Sequence, residues 1–346
     1  MKKKILITGA VVLVAAAVIL GFILKNQVRE NTDSTAVNVD IGQWDTTQNE
    51  SQNYWNPDNH AVAKGMGGYY FIQTTDGISK IAFFDETTQE AVAVCAKPEC
   101  THSDNTCNAY LCDMKQTGSA LYLTDTIYCY NGYLYLIQCE GGMGKLVRIH
   151  TDGSARETIA DLFANTGVSS ISLVFHENDV YAYDDTGHAG QEEEAEEVIK
   201  KISLTDGTEQ TVFSYTGTGA SIDRGRSFGD KLYFVIREYT KNKETKVVSS
   251  DYKGLFEYDF ATGDTRKVID ADVCDYHADT ENQMLFYFVQ GTGLYAYDMT
   301  QGSNTLIYPA EDELIQCKMS YDGKNLYLFN NGAGRATETK ARTQRY

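Results

Sequence analysis

Apolar positions form two kinds of pattern along the chain. Near the N-terminus, residues 5–24 are an uninterrupted, uncharged run of twenty residues. As a helix this run would be about 30 Å long, enough to cross a bilayer. From residue 61 onward, short segments rich in tyrosine and phenylalanine alternate apolar with polar positions, which is typical of half-buried strands. The pattern therefore predicts one membrane helix followed by an all-β body.

The predicted strands of the body recur in a fixed order. Each unit begins with a turn and an aromatic strand: "GGYYFIQ" (67–73), "NGYLYLIQ" (131–138), "ENDVYAYD" (177–184), "GDKLYFVI" (229–236), "NQMLFYFV" (282–289) and "GKNLYLFN" (323–330). In five units a second strand then runs into a turn: "KIAFFDETTQ" (80–89), "KLVRIHTDGS" (145–154), "KKISLTDGTE" (200–209), "GLFEYDFATGD" (254–264) and "GLYAYDMTQGS" (293–303). A short β-rich segment follows, such as "ARETIA" (155–160) in the second unit.

The spacing of these units predicts a β-propeller. Equivalent aromatic positions lie 65, 46, 52, 53 and 41 residues apart. Four strands at a period of about 40–50 residues are the signature of a propeller blade. A single blade cannot bury both faces of its sheet, so blades stack around a common axis. We therefore expect residues 61–346 to form a six-bladed β-propeller.

The sixth repeat departs from this pattern. After its aromatic strand the chain continues as "GAGRATETKARTQRY" (332–346), without the second half of the repeat. This tail carries four basic residues against one glutamate in an otherwise acidic chain. Either an N-terminal segment completes the last blade or the C-terminus is truncated.

The N-terminal residues predict a single-pass membrane protein. Three lysines in residues 1–4 precede the apolar run, and this charge keeps the N-terminus in the cytoplasm. The small residues at 15–17 lie inside the run and no cleavage site follows it, which favours an uncleaved anchor over a signal peptide. Residues 25–60 are polar and predict an extracellular stalk that includes Trp44 and Trp55. We expect the propeller to lie outside the cell.

The negative net charge of the chain argues against nucleic acids as partners. The chain has a formal net charge of −18, and residues 1–29 contain five basic and no acidic residues, so the exported part carries −23. Such a surface repels nucleic acid and other polyanions. Cationic ligands, neutral glycans and other proteins remain open as partners.

The densest group of potential ligands is "CAKPECTHSDNTCNAYLC", residues 95–112. It falls within the longest step between repeats, so we expect an insertion after the last strand of the first blade. Cys95, Cys100, His102 and Cys107 offer three sulfurs and an imidazole, which tetrahedral Zn²⁺ accepts, and Cys112 is an alternative ligand. Outside the membrane, disulfides are equally natural for four cysteines. Metal, disulfides and free thiols all stay open, and we expect a structural role for either a metal or disulfides, because so polar a loop has no apolar core.

No catalytic constellation stands out elsewhere. The segment "QEEEAEE" (191–197) is expected to be a solvated loop. The Asp-x-x-Thr-Gly turns, clearest at Asp259 and Gly263, are expected to satisfy backbone groups at strand ends. Acids that could serve a glycosidase are plentiful, but no pair is singled out; they include Asp184, Asp185, Asp270 and Asp272. We therefore assign no catalytic residue.

The repeats and the cysteine segment carry a resemblance to known proteins. The tandem "LYxx…L(Y/F)xYDxxTG" units resemble the YWTD-type propellers of low-density-lipoprotein-receptor relatives. The element "CAKPECTHSDNTCNAY" more closely resembles a segment of an uncharacterised family of exported, propeller-like proteins from Gram-positive anaerobes. The resemblance covers residues 65–330 and implies a fold and a location but no reaction.

Three functions fit these observations. The first is a membrane-anchored extracellular module that binds or scaffolds a protein or glycan ligand without catalysis. The second is a cell-surface glycan hydrolase or lyase that uses acids facing the central channel. The third is a sensory ectodomain, although only residues 1–4 would remain inside the cell to carry a signal.

Overall fold

The computed structural model describes residues 62–113, 123–164, 171–184, 194–310, 317–321 and 326–330. The anchor and stalk expected in residues 1–60 lie outside the described residues, as do Trp44 and Trp55. Within the described residues, no helix is long and apolar enough to span a bilayer. The ordered secondary structure of these residues consists of twenty-three β-strands.

The strands form six antiparallel sheets, numbered here in chain order. Sheet 1 contains β1 (Val62–Gly65), β2 (Gly68–Thr75), β3 (Ile78–Asp85), β4 (Ala91–Ala93) and β5 (Tyr110–Asp113). Sheet 2 contains β6 (Leu123–Tyr130), β7 (Tyr133–Glu140), β8 (Met143–His150) and β9 (Arg156–Ala164). Sheet 3 contains β10 (Ile171–His176), β11 (Asp179–Asp184), β12 (Glu194–Ser203) and β13 (Glu209–Thr218). Sheet 4 contains β14 (Ser221–Phe228), β15 (Lys231–Lys241), β16 (Val248–Asp259) and β17 (Thr265–Ile269). Sheet 5 contains β18 (Val273–Asp279), β19 (Met284–Val289), β20 (Gly293–Asp298) and β21 (Ser303–Pro309), and sheet 6 contains β22 (Cys317–Tyr321) and β23 (Leu326–Asn330).

Sheets 2 to 5 share one topology, in which four strands pair in the order in which they follow along the chain. The aromatic strand of each repeat is the second strand of its sheet, and the strand before the Asp-containing turn is the third. The prediction of an all-β body built from repeated four-stranded units is thus confirmed for these sheets. In the described residues, sheet 6 has two strands.

Turn residues set the register of the hairpins as expected. Asn131 and Gly132 both have positive φ, 47° and 77°, which a two-residue hairpin turn requires. Tyr130 therefore pairs with Tyr133, and Cys129 lies opposite Leu134.

Asp-containing turns cap the third strands of the sheets. The Asp259 carboxylate accepts hydrogen bonds from the backbone N–H groups of Ala261 and Thr262, both at 2.9 Å. Asp298 accepts the equivalent pair from Thr300 and Gln301, also at 2.9 Å. The expected role of these turns at strand ends is confirmed.

Apolar side chains fill the space between consecutive sheets. Between sheets 2 and 3, the rings of Tyr130 and Tyr135 pack on Phe175, with centroids 4.9 and 4.8 Å apart. Between sheets 3 and 4, Phe213 packs on Phe234 at 4.8 Å. Each fully buried aromatic ring of this kind stabilises the fold by roughly 1.5–3 kcal/mol. Four-stranded sheets packed face to face in chain order are consistent with a β-propeller.

The cysteine segment enters sheet 1 differently from the expectation. Strand β4 pairs with the second half of β3, through Ala82 to Phe84. Strand β5 pairs with the first half of the same strand, from Ile78 to Lys80. Between them, Ile81 donates its N–H to the carbonyl of Ala109 at 2.9 Å. The insertion thus interrupts the outer strand of sheet 1 rather than following it, and β5 resumes that strand after the loop.

Candidate metal centre

The loop between β4 and β5 brings four ligand-type side chains together. The sulfurs of Cys95, Cys100 and Cys107 and a ring nitrogen of His102 all lie within 4.8 Å of one another. His102 Nδ1 is 3.3 Å from Cys107 Sγ. These are the four residues that the sequence predicts as metal ligands, so the chain does gather them at one point.

Tight local turns place these residues. The N–H of Cys100 donates to the carbonyl of Lys97 at 3.2 Å, and the N–H of Cys107 donates to the carbonyl of Asp104 at 3.1 Å. The Asp104 carboxylate accepts the backbone N–H of Thr106 at 2.9 Å and its hydroxyl at 2.6 Å. His102 has a φ of 57°, in the left-handed region that non-glycine residues rarely occupy. Such conformations persist where the surrounding structure demands them.

The cluster is buried although its loop is polar. Cys95, Cys107 and His102 are exposed by only 4%, 1% and 8%. Burial raises the pKa of Cys107 to about 12. Burial, with the nearby charge of Lys80, lowers the pKa of His102 and so favours the neutral imidazole that binds metals. For Cys95, burial opposes ionisation, but hydrogen bonds from the Lys97 backbone and the Cys107 thiol outweigh it and lower its pKa.

The donor set fits a tetrahedral metal ion. With Zn–S bonds of about 2.3 Å, the sulfurs of a tetrahedral site lie about 3.8 Å apart. A group of atoms within 4.8 Å of one another reaches that geometry with shifts on the order of 1 Å. Three thiols and an imidazole that converge in a buried pocket therefore could hold a metal ion. In this structure the three cysteines carry free thiols.

The remaining cysteines lie elsewhere. Cys112, the alternative ligand, is on β5 opposite Ser79, and its sulfur is not part of the group. Cys129, Cys139 and Cys274 lie on strands of sheets 2 and 5. The side chain of Cys317 lies outside the described residues.

The cysteine loop also contacts sheet 2 through the turn between β8 and β9. Asn108 donates its side-chain amide to the carbonyl of Gly153 at 2.8 Å. A methyl group on Gly153 would lie 2.5 Å from the backbone nitrogen of Cys95, and its φ of 74° also favours glycine. Tyr70 of sheet 1 donates to the carbonyl of Thr151 in the same turn at 3.4 Å. The loop therefore lies at the junction of sheets 1 and 2.

One half-buried arginine at this junction is not singled out by the sequence. Arg156, the first residue of β9, donates from Nη1 to the carbonyls of Tyr110 and, at 3.3 Å, Asn108. Its Nη2 donates to the side-chain oxygen of Gln138 at 2.8 Å. Burial lowers the pKa of Arg156, while the nearby Cys107 acts in the opposite direction. The only sequence signal is a cation at the start of the short segment "ARETIA".

The acidic segment 191–197 is not wholly a solvated loop. Strand β12 begins at Glu194, and Glu197 within it is 7% exposed. Burial, with the charges of Asp184 and Asp223, raises the pKa of Glu197 to about 7. The expectation of a solvated loop is wrong for Glu197 because alternation along β12 turns this carboxyl inward, on the same face as the buried Ile199.

The other candidate acids have ordinary structural partners. Asp270 forms a surface ion pair with Lys267 at 2.9 Å. Asp272 accepts the backbone N–H of Tyr252 at 2.7 Å. Asp185 lies outside the described residues.

Comparison with known proteins gives only distant similarities. No protein-family model matches the chain, and no curated protein matches its sequence. An oligogalacturonate lyase in complex with manganese is 12% identical, with a TM-score of 0.47 over 78% of this chain and 72% of that chain. Sqt1 of Saccharomyces cerevisiae is 9% identical, with a TM-score of 0.39 over 80% of this chain and 81% of that chain. A nidogen/laminin complex gives 14% identity and a TM-score of 0.37 over 75% of this chain and 84% of that chain. Similarity at this level says nothing about function.

Proposed function

We propose that this chain is a membrane-anchored, extracellular, six-bladed β-propeller that acts as a binding or scaffold module for a protein or glycan ligand. The observation that carries this proposal is the position of the Cys/His cluster. It is buried in the loop between β4 and β5, at the junction of sheets 1 and 2, a position that supports a structural role rather than a catalytic one. The recurrent residues of the repeats likewise serve in packing and in turns. The module has no catalytic activity of its own.

The proposed metal is a structural Zn²⁺ held by Cys95, Cys100, His102 and Cys107. Three sulfurs and one imidazole form a closed tetrahedral set, with no position left for a substrate. Soft thiolates select zinc over Ca²⁺ and Mg²⁺, which prefer oxygen ligands. When bound, the ion supplies cross-links within the loop; the turns at Lys97–Cys100 and Asp104–Cys107 hold its ligands in place.

Purified full-length protein tests this proposal. We expect about one zinc ion per chain by elemental mass spectrometry, no turnover of a broad panel of glycan and peptide substrates, and binding to cell-wall material or a surface protein. Zinc-free protein with an intact fold would overturn the metal assignment. Turnover that is lost on changing an acid would overturn the binding module.

Membrane topology is a separate prediction. A reporter fused after Tyr346 is expected to be digested by protease added to intact cells, because the lysines in residues 1–4 keep the N-terminus inside. A reporter fused before Met1 serves as the protected control. A protected C-terminal reporter would contradict the orientation, and a mature N-terminus near residues 25–35 would replace the anchor with a cleaved signal.

A second candidate function rests on Glu197. A carboxyl with a pKa of about 7 can act as a general acid near neutral pH, and the charges of Asp184 and Asp223 are close enough to contribute to that shift. A carboxyl that acts as a general acid is one requirement of the hydrolase or lyase alternative. Loss of glycan turnover in Glu197→Gln would support it.

The raised pKa of Glu197 also predicts how stability depends on pH. Because the folded value of about 7 lies above the ordinary value of 4.5, the folded state holds this proton more tightly than the unfolded state. The resulting stabilisation is fully present below pH 4.5 and is lost as the pH rises through 7. We expect Glu197→Gln to raise the free energy of unfolding at pH 8 by on the order of 2 kcal/mol and to change it little at pH 4.

Urea unfolding at both pH values measures this effect. Glu196→Gln, on the exposed face of the same strand, is the matched control and should follow the parent protein at both pH values. A Glu197→Gln variant with the same pH dependence as the parent would show that Glu197 does not titrate near neutrality.

A further inference from the structure

Arg156 is a half-buried cation whose hydrogen-bond partners are neutral. Its guanidinium donates to the carbonyls of Tyr110 and Asn108 and to the side-chain oxygen of Gln138. In the described parts of the chain, no ion pair joins Arg156 to a carboxylate. These three hydrogen bonds go to neutral oxygens and leave the positive charge without a counter-charge. Removing a charge partly from water without a counter-charge is costly, so the absence of an acid here calls for an explanation.

The neighbouring cluster offers the missing negative charge when it holds a metal ion. One Zn²⁺ bound by three thiolates and a neutral imidazole carries a net charge of −1. Arg156 donates hydrogen bonds to the backbone carbonyls of Asn108 and Tyr110, which follow Cys107 in the loop. It also lies close enough to Cys107 for the charges of the guanidinium and a thiolate to interact. A second cation, Lys80, lies near His102 on the sheet 1 side. Two cations, Arg156 and Lys80, therefore lie beside the ligand loop, which suits an anionic metal–thiolate centre.

We propose that Arg156 is the counter-charge of the metal–thiolate centre and couples metal binding in sheet 1 to the docking of sheet 2. This inference rests on the proposed zinc site. The guanidinium comes from β9, whereas all four ligands belong to the loop between β4 and β5. Arg156 is thus a positioning residue: it touches the ligand loop through backbone oxygens and balances the centre's charge without binding the ion. Metal loading strengthens the sheet 1–sheet 2 contact, and the docked sheet in turn favours the thiolates.

A second arginine of the same sheet provides a matched control. Arg148 on β8 donates to the carboxylate of Glu157 at 2.7 Å and to the carbonyl of Leu204. Its charge is therefore already balanced by an acid, and its backbone contact is with sheet 3 rather than with the cysteine loop. Removing the charge of Arg148 should not change the metal centre.

The test compares zinc affinity in full-length protein by competition with a chromophoric chelator. We expect Arg156→Gln to weaken zinc binding by roughly 10–100-fold, the usual cost of losing a partner outside the ligand shell. Arg156→Lys keeps the charge but loses the bidentate hydrogen bonding, so its zinc affinity should lie between those of the parent and Arg156→Gln. Arg148→Gln should bind zinc with the affinity of the parent. The pH at which half the protein is metallated should also rise in Arg156→Gln, because its thiolates form less readily.

A second readout reports on the coupling. Hydrogen exchange of β5 and of the β8–β9 turn should slow when zinc is added to the parent protein, and this protection should shrink in Arg156→Gln. If the parent binds no zinc, the metal assignment itself fails. If the parent binds zinc and both Arg156 variants bind it equally well, the counter-charge role alone is overturned. Should Arg156→Gln fail to fold, zinc binding that slows exchange neither in β5 nor in the β8–β9 turn of the parent protein would overturn the coupling.

Discussion

Replacing Asp275 by asparagine is expected to lower the free energy of unfolding by about 3–5 kcal/mol, the usual cost of breaking a buried ion pair. Asp275 on β18 is fully buried. Its Oδ1 lies 2.8 Å from Nη1 of Arg226 on β14, and Arg224 approaches Oδ2 at 3.6 Å. Its Oδ2 also accepts the backbone N–H of Met319 on β22 at 2.6 Å. One carboxylate thus connects sheets 4, 5 and 6, and asparagine would leave two arginines without its charge.

Chemical denaturation of the purified protein measures this loss. Asp270→Asn is the matched control, because that carboxylate is 86% exposed and pairs with Lys267 at the surface. Surface pairs of this kind contribute about 0–1 kcal/mol, so the control should stay near the parent value. Equal stability of the two variants would show that Asp275 does not hold the three sheets together.

The repeated part of the fold is predictable from the sequence because its causes are local. Alternating apolar positions define the strands, and Asn131-Gly132 sets a hairpin register that places Cys129 opposite Leu134. The turn at Asp259 is likewise specified by residues within five positions of one another. Such features need no knowledge of which sheets become neighbours.

The network around Asp275 is not predictable in this way because it depends on a local irregularity and on packing between sheets. A bulge between Asp223 and Arg226 shifts the register of β14. Arg224 in this bulge has a φ of 56°, and the hydroxyl of Tyr183 in sheet 3 accepts the N–H of Gly225 at 2.7 Å. In the sequence, "DRGR" has the composition of a turn, and nothing marks its charges as buried.

The candidate metal centre is predictable in part. Spacing alone identifies Cys95, Cys100, His102 and Cys107, because all four lie on one short loop. The route of that loop is not predictable, since the return of β5 to β3 is a pairing across the insertion. Arg156 is missed for the same reason: it comes from the next sheet, and its role follows only from the docked arrangement.

Loss of the metal is expected to have a large effect on stability. We expect Cys107→Ser to lower the Tm by on the order of 10 °C, because a structural zinc ion contributes its binding energy to folding and about 1 kcal/mol corresponds to roughly 2–4 °C in a domain of this size. Cys107 is the most buried ligand and its sulfur lies 3.3 Å from His102 Nδ1, so a serine there removes a thiolate that cannot be replaced by water. His102→Ala should cost about as much, and a strong chelator should reproduce the effect in the parent protein.

Calorimetry with and without chelator separates the metal from disulfides. Cys139→Ser is the matched control, because this half-buried thiol on β7 lies outside the cluster and should leave the Tm nearly unchanged. If disulfides hold the loop, reductant lowers the Tm of the parent, chelator does not, and His102→Ala is almost silent, since a disulfide makes no use of an imidazole. A parent Tm that responds to neither chelator nor reductant, together with a silent Cys107→Ser, would contradict both forms of cross-link. The buried loop would then be held by its turns and by the contacts of Asn108 and Arg156 with sheet 2.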